Sequence, residues 1–163
     1  MDKVDTILRQ WREQRPDLDP SSMAILGRIS QLRDHIAPKL NKTFSEFGLN
    51  SGEFDVLMTL RRSGDPYTLC PHNLLQSMML TSGAMTNRID KLESKGLVAR
   101  SADPNDRRGV QVSLTEEGLA LANKAVEAHI ENSETILTGL DKEERDALAV
   151  LLSKLLASQE KED

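Results

Sequence analysis

Apolar residues recur at helical spacing along most of this chain, and one short segment alternates instead. Val4, Ile7, Leu8 and Trp11 fall at i, i+3, i+4 and i+7, which predicts an amphipathic helix over residues 3–14 with the single tryptophan on its apolar side. Arg15, Pro16 and Asp17 end it. Asp19 and Pro20 supply a helix start, and Ile25, Ile29, Leu32, Ile36, Leu40, Phe44 and Phe47 mark a long stripe up to Gly48. Pro38 lies inside that stripe and is expected to bend the helix or break it locally. Asn50 to Glu53 has capping-box spacing for a third helix, in which Phe54, Leu57 and Met58 are expected to face inward and which Arg61 and Arg62 close before Gly64. Cys70 and Pro71 open a short helix over 72–77. Further on, Thr115 caps a long helix with Glu116 and Glu117 in its first turn and a stripe of Leu119, Ala122, Val126, Ile130 and Leu137. After Gly139, the capping-box spacing of Asp141 and Glu144 starts a last helix with the strongest stripe in the chain, Leu148, Leu151, Leu152, Leu155 and Leu156.

The pattern changes between Thr81 and Thr115. Met85, Ile89 and Leu92 share one helical face, while Ser82, Thr86, Asn87 and Lys91 offer hydrogen-bonding groups on the other. Gly96 is a good helix stop. Leu97 to Ser101 reads as a strand, and so does Val110 to Leu114, in which Val110, Val112 and Leu114 alternate onto one side. Asp103, Pro104, Asn105 and Asp106 supply turn chemistry between them, with Arg107 and Arg108 expected at the tip. A short helix, a tight connection, a polar-faced helix and an arginine-tipped hairpin make the layout of a winged helix-turn-helix DNA reader.

Composition narrows the picture. The chain of 163 residues fits one domain with length enough for a core, and its scarce aromatics suit a helical core of Leu, Ile, Val and Met. No apolar run approaches the roughly 20 residues that span a bilayer, and no secretory leader pattern opens the chain, so a cytoplasmic protein without a membrane partner is expected. One cysteine, Cys70, excludes an internal disulfide framework and disfavours a cysteine-based zinc site. His35, His72 and His129 lack metal-ligand spacing, and no cofactor is expected. The net charge of −5 looks adverse to nucleic acid, yet it is unevenly placed: the six bases and four acids between Thr81 and Arg108 give that segment +2. No nucleophile-elbow, metal-ligand or glycine-rich phosphate motif supports an enzyme.

The run DPNDRRGVQVSLTEEG, preceded by NRIDKLESKGLVAR, resembles the wing and recognition helix of the multiple-antibiotic-resistance regulator (MarR) family. The order of elements over about residues 20–158 agrees with that family's mainly helical, winged, dimeric fold. The resemblance implies a homodimeric transcription regulator, most often a repressor, that binds a pseudo-palindromic operator in double-stranded DNA and is released by a small molecule. QWREQRPDLD, at Gln10 to Asp19, is similar to the N-terminal extension of the urate-responsive, PecS-like branch. That likeness implies Trp11, Asp55 and Arg88 as ligand-binding residues, with urate or a similar aromatic anion as effector. Trp11 would stack on a flat ligand and Arg88 would pair with its charge, in a pocket between the helix bearing Asp55 and the recognition helix. A structural Asp55–Arg88 ion pair is the plainer alternative.

The expected arrangement is an N-terminal helical extension (1–18), dimerisation helices (19–48 and 115–163) and a winged helix-turn-helix (49–114), intertwined as one domain. The stripes of the long helices are expected to close against a second copy. Ser82, Thr86, Asn87 and Arg88 would lie nearest base edges or phosphates in the major groove. The first turn at Thr81, Ser82 and Gly83 would offer backbone amides to a phosphate. Arg107 and Arg108 would grip phosphate or the minor groove, with Asp106 orienting one of them. Lys91 is a weaker DNA contact, and it and Lys95 also read as surface helix charges beside Asp90 and Glu93. Other readings are a sequence-tolerant architectural DNA binder, and a regulator answering to a different phenolic or carboxylate effector or to oxidation at Cys70.

Overall fold

The computed structural model describes residues 1–79, 85–104 and 106–160, and of Arg107 and Arg108 the backbone alone. In chain order the elements are α1 (Lys3–Gln14), α2 (Ser21–Glu46), α3 (Ser51–Arg62), β1 (Thr68–Leu69), α4 (Pro71–Ser77), α5 (Met85–Ser94), β2 (Val98–Asp103), β3 (Asp106–Leu114), α6 (Glu116–Ile136) and α7 (Lys142–Gln159). Among the described residues, no helix is long and apolar enough to cross a membrane.

The helix ends follow the local chemistry. The Asn50 side chain accepts the Glu53 amide at 2.9 Å, and Glu53 Oε2 accepts the Asn50 amide at 3.1 Å. Asp141 and Glu144 reproduce the same reciprocal pair at 2.9 Å each. Thr115 Oγ1 accepts the Gly118 amide at 2.9 Å and donates to the Gly96 carbonyl at 2.7 Å, so one hydroxyl starts α6 and holds the end of α5. Gly96 itself has φ +72°, the left-handed stop its position requires. Pro38 neither breaks nor ends α2, which runs unbroken through it. Asp34 and Pro38 are both exposed, so water can satisfy the carbonyl that loses its helical partner.

The core forms around α3, which packs on α2, α4, α5, α6 and β3. Gly52 through Leu57 are buried without a break, which one-sided amphipathic spacing does not anticipate. Phe54 and Leu57 face inward as expected, but Val56 and Leu60 are enclosed more completely than Met58, which is only half-buried. Leu74, Leu92, Val98 and Val112 complete the centre from α4, α5 and the sheet. Phe44 and Phe54 stack with ring centroids 4.1 Å apart, and the His129 ring lies 5.1 Å from Phe54. Burial there pushes the His129 imidazole below its ordinary value.

The three strands form an antiparallel sheet in the order β1-β3-β2. β2 and β3 run in register from Val98↔Leu114 to Asp103↔Asp106, with an irregularity at Ala102 and Asp103. Two-residue β1, too short for any periodic signal, pairs Thr68 with Ser113 and Leu69 with Val112. Val112 is fully buried while Val110 is exposed, because the hairpin projects outward from the body along the strand. β3 begins at Asp106, so Arg107 and Arg108 are strand residues just past the turn rather than its tip.

α1 lies on α2, burying Val4 and Leu8. Gly27 admits Val4, whose Cγ1 would stand 3.3 Å from an added Cβ. Arg28 pairs with Asp2 at 2.9 Å and Asp5 at 2.5 Å. A large apolar surface stays uncovered: Ile7 and Trp11 on α1, Ile25, Leu26, Ile29 and Leu32 on α2, and Leu148, Val150, Leu151, Leu152, Leu155 and Leu156 on α7. α7 buries none of its residues, and Arg145 anchors its first turn to the Leu137 and Leu140 carbonyls and to Glu134.

Candidate nucleic-acid interface

α5 carries the face that the sequence leads one to expect against DNA. Ile89 and Leu92 are buried against α3 and the hairpin, which turns Thr86, Asn87 and Lys91 to solvent. Thr81, Ser82 and Gly83, expected in the first turn, lie outside the described residues, as does Asn105 of the wing turn. Arg88 is half-buried and leans onto the start of α3. A Cβ on Gly52 would stand 2.4 Å from its Nε, so only glycine admits the guanidinium there. Asn50, Ser51 and Gly52 on one side and Asn87, Arg88 and Lys91 on the other line a cavity of about 240 Å³.

Among the described residues of this segment, Lys95 and Arg100 pair with carboxylates. Lys95 Nζ donates to Glu53 Oε2 at 2.8 Å and to the Gly48 carbonyl at 2.9 Å, so it is an exposed helix charge, as its neighbours suggest, but its partner lies on α3. Arg100, on β2, reaches back to Asp90 and Glu93 on α5. Glu53 thus caps α3 and ties it to the end of α5. Burial by itself would raise the Glu53 carboxyl, but Lys95 and the Asn50 amide outweigh it and hold its pKa below the ordinary glutamate value. With the folded pKa below the unfolded one, this contribution is present at neutral pH and lost as pH falls through the carboxylate range. Lys95→Met is therefore expected to cost about 1–2 kcal/mol near pH 7, and less toward roughly pH 4, where the variant's Glu53, raised by burial once Lys95 is gone, takes up a proton and no longer needs the cation. Urea unfolding of both proteins at the two pH values, at one protein concentration, checks this; a gap that does not change with pH contradicts it.

The connection leading toward α5 is held from α3. Asp55, buried one turn after Gly52, accepts the Met79 amide on Oδ2 at 3.0 Å. Arg62, at the other end of α3, donates to the Ser77 carbonyl. Trp11 lies elsewhere: it lines a concavity made of Ile7, Gln10, Glu13 and Gln14, all on α1, and none of these residues lines the Arg88 cavity. Cys70 is half-buried at the N-cap of α4 without a side-chain capping bond. Among the described residues no group of three His, Cys, Asp or Glu side chains could hold a metal ion. Sequence reasoning missed Gly52, Arg62, Lys95 and Arg100 as parts of this framework. Only the Asn50–Glu53 spacing gave a signal nearby.

Comparison with known proteins agrees with this geometry. The MarR family pattern matches residues 49–110, from the cap of α3 into the wing. The chain is 40% identical to the HTH-type transcriptional regulator PecS of Dickeya dadantii over 153 residues, 94% of this chain and 92% of that protein. The structure superposes with a TM-score of 0.71 on a mutant MarR from Escherichia coli complexed with operator DNA, at 28% identity and covering 90% of this chain and 97% of that one. A TM-score of 0.71 is also found with Bordetella bronchiseptica BpsR, whose DNA binding is regulated by 6-hydroxynicotinic acid, at 26% identity over 79% of this chain and 90% of that one. With the winged reader in place and its likeness to PecS running nearly end to end, the chain belongs to the MarR family of DNA-binding transcriptional regulators.

Proposed function

We propose that this protein is a homodimeric repressor that binds a pseudo-palindromic operator and releases it when a small aromatic anion such as urate binds. The observation that carries the DNA reading is the outward face of Thr86, Asn87 and Lys91 on a helix bolted to an arginine-bearing hairpin. Asn can pair bidentately with adenine, and such contacts discriminate by about 1–3 kcal/mol each. Arg107 and Arg108 add phosphate or minor-groove affinity, and the first turn at Thr81, Ser82 and Gly83 offers backbone amides. The uncovered faces of α2 and α7 support a dimer that sets the spacing of two readers. Residues 1–18 then form the extension, 19–48 and 115–163 the dimerisation helices, and 49–114 the reader.

The effector reading rests on Arg88. Its half-buried guanidinium borders a polar cavity beside α3, and any ligand that draws it into a new pairing also acts on the reading helix. Asp55, three residues from Gly52 on the same helix, holds the Met79 amide, so a change at Asp55 reaches the connection before α5. Such a ligand weakens DNA binding only by its differential affinity for the free and bound states. Trp11 lines no part of that cavity within one protomer, which makes it the part of this reading that substitution must test.

Selection of an operator from random DNA, followed by urate titration of the complex, tests the whole. Urate is expected to release wild-type protein, and Trp11→Ala to raise the concentration needed by about tenfold or more, the loss of one stacking contact of roughly 1.4 kcal/mol. Unchanged release removes Trp11 from the site. A steep salt dependence with no preferred sequence would favour an architectural DNA binder instead.

A further inference from the structure

Arg100 sits at the base of the wing, opposite Val112 in the β2–β3 ladder, yet its side chain turns away from the sheet toward α5. One guanidinium nitrogen donates to Asp90 Oδ1 at 2.5 Å, and the other donates to Glu93 Oε2. The Arg100 amide donates to Glu93 Oε1 at 3.2 Å, so Glu93 holds both the backbone and the side chain of this residue. Asp90 and Glu93 are three apart on the recognition helix and share a face, while Arg100 follows only seven residues later across the Gly96 stop. The three groups are 29–57% exposed, a setting in which ion pairs contribute little to global stability. What they fix is direction. The hairpin projects beyond the core, and its outer Val110 is exposed, so core packing alone constrains its base more than its swing.

We propose that Asp90, Glu93 and Arg100 form a clasp that sets the wing at a fixed angle to the recognition helix, making them positioning residues for DNA binding rather than DNA contacts. The inference rests on the operator-binding reading above. A reader that must engage the major groove with α5 and the neighbouring backbone with the wing binds tightly only when both arrive together. The clasp pre-pays that alignment. It also accounts for two acids on the face of a helix that approaches phosphates, where their uncompensated charge would repel.

Its consequence runs opposite to simple electrostatics. Removing two carboxylates beside DNA should strengthen binding and steepen its salt dependence if Asp90 and Glu93 are ordinary surface charges. The clasp predicts that Asp90→Asn with Glu93→Gln weakens binding to the selected operator about tenfold or more. It also predicts a salt slope shallower by about 3–4, as Arg107 and Arg108 of both protomers lose their phosphates. At saturating protein, hydroxyl-radical footprints should keep protection in the major-groove half-sites and lose it where the wings lie. Arg100→Gln should do the same, and Glu93→Gln alone, which leaves Arg100 paired with Asp90, should fall between. All variants should melt within a few degrees of wild type.

If the double variant binds as tightly as wild type or more tightly, the clasp is overturned. Weakening by Arg100→Gln without weakening by the double variant also overturns it, by making Arg100 a direct phosphate contact. Failure of the wild type to select any operator would instead defeat the operator-binding reading, so the two failures are distinguishable.

Discussion

Gly118→Ala is expected to destabilise the fold by about 2–3 kcal/mol, lowering the melting temperature by roughly 5–10 °C at fixed protein concentration. A Cβ at Gly118 would stand 1.9 Å from the Leu97 carbonyl oxygen, far inside any real contact. The obstacle is backbone, so no side chain can swing aside. That carbonyl also accepts the Thr115 amide at 3.1 Å, and Thr115 Oγ1 in turn accepts the Gly118 amide and donates to Gly96. Moving α6 off the strand would therefore break its own cap together with the closure between α5 and β2. Gly139→Ala is the control, because nothing lies within 4 Å of its added Cβ, and it should be neutral or stabilising by a few tenths of a kcal/mol. Equal effects at the two glycines would show that the loss of backbone freedom common to both, not the contact with Leu97, governs them.

Leu151→Glu combined with Leu155→Lys is expected to convert the protein to a monomer in sedimentation and to weaken operator binding roughly 100-fold or more. The two side chains are 64% and 38% exposed in the protomer, on a helix that buries nothing of its own. Placing a charge pair at i, i+4 with the acid first preserves helix propensity, so circular dichroism should remain helical. The loss then reports on the apolar face itself, where burying unpaired charge against a second copy costs several kcal/mol. A variant that remains dimeric at micromolar concentration would place the interface elsewhere, on the exposed residues of α1 and α2.

Much of the fold was legible because its signals are local. Capping boxes at Asn50 and Asp141, the Thr115 cap and the Gly96 stop act within a few residues, and each stands where spacing predicts it. The apolar stripes of α1, α6 and α7 likewise mark those helices almost to their ends. Stripes say less about what covers them. Val4 and Leu8 are buried on α2 while Ile7 and Trp11 of the same stripe are exposed, and the strongest stripe, on α7, is covered least. Pro38 misleads for a related reason: its cost depends on whether the freed carbonyl meets water, which is a property of the surface.

The sequence by itself determined the order of the helices and of the hairpin, most of the helix ends, the polar face of α5 and the basic hairpin that marks a DNA reader, because short-range geometry and side-chain chemistry suffice for each; β1 it did not show. Tertiary structure alone decided which polar groups are brought together. Lys95 meets Glu53 across 42 residues, Asp55 meets the Met79 amide across 24, and Arg88 finds room over α3 only because position 52 has no side chain. A count of charge treats paired and outward groups alike. Distance and burial separate those that stabilise the reader from those that remain for its ligand, since Coulomb attraction and desolvation depend on where the folded chain brings them.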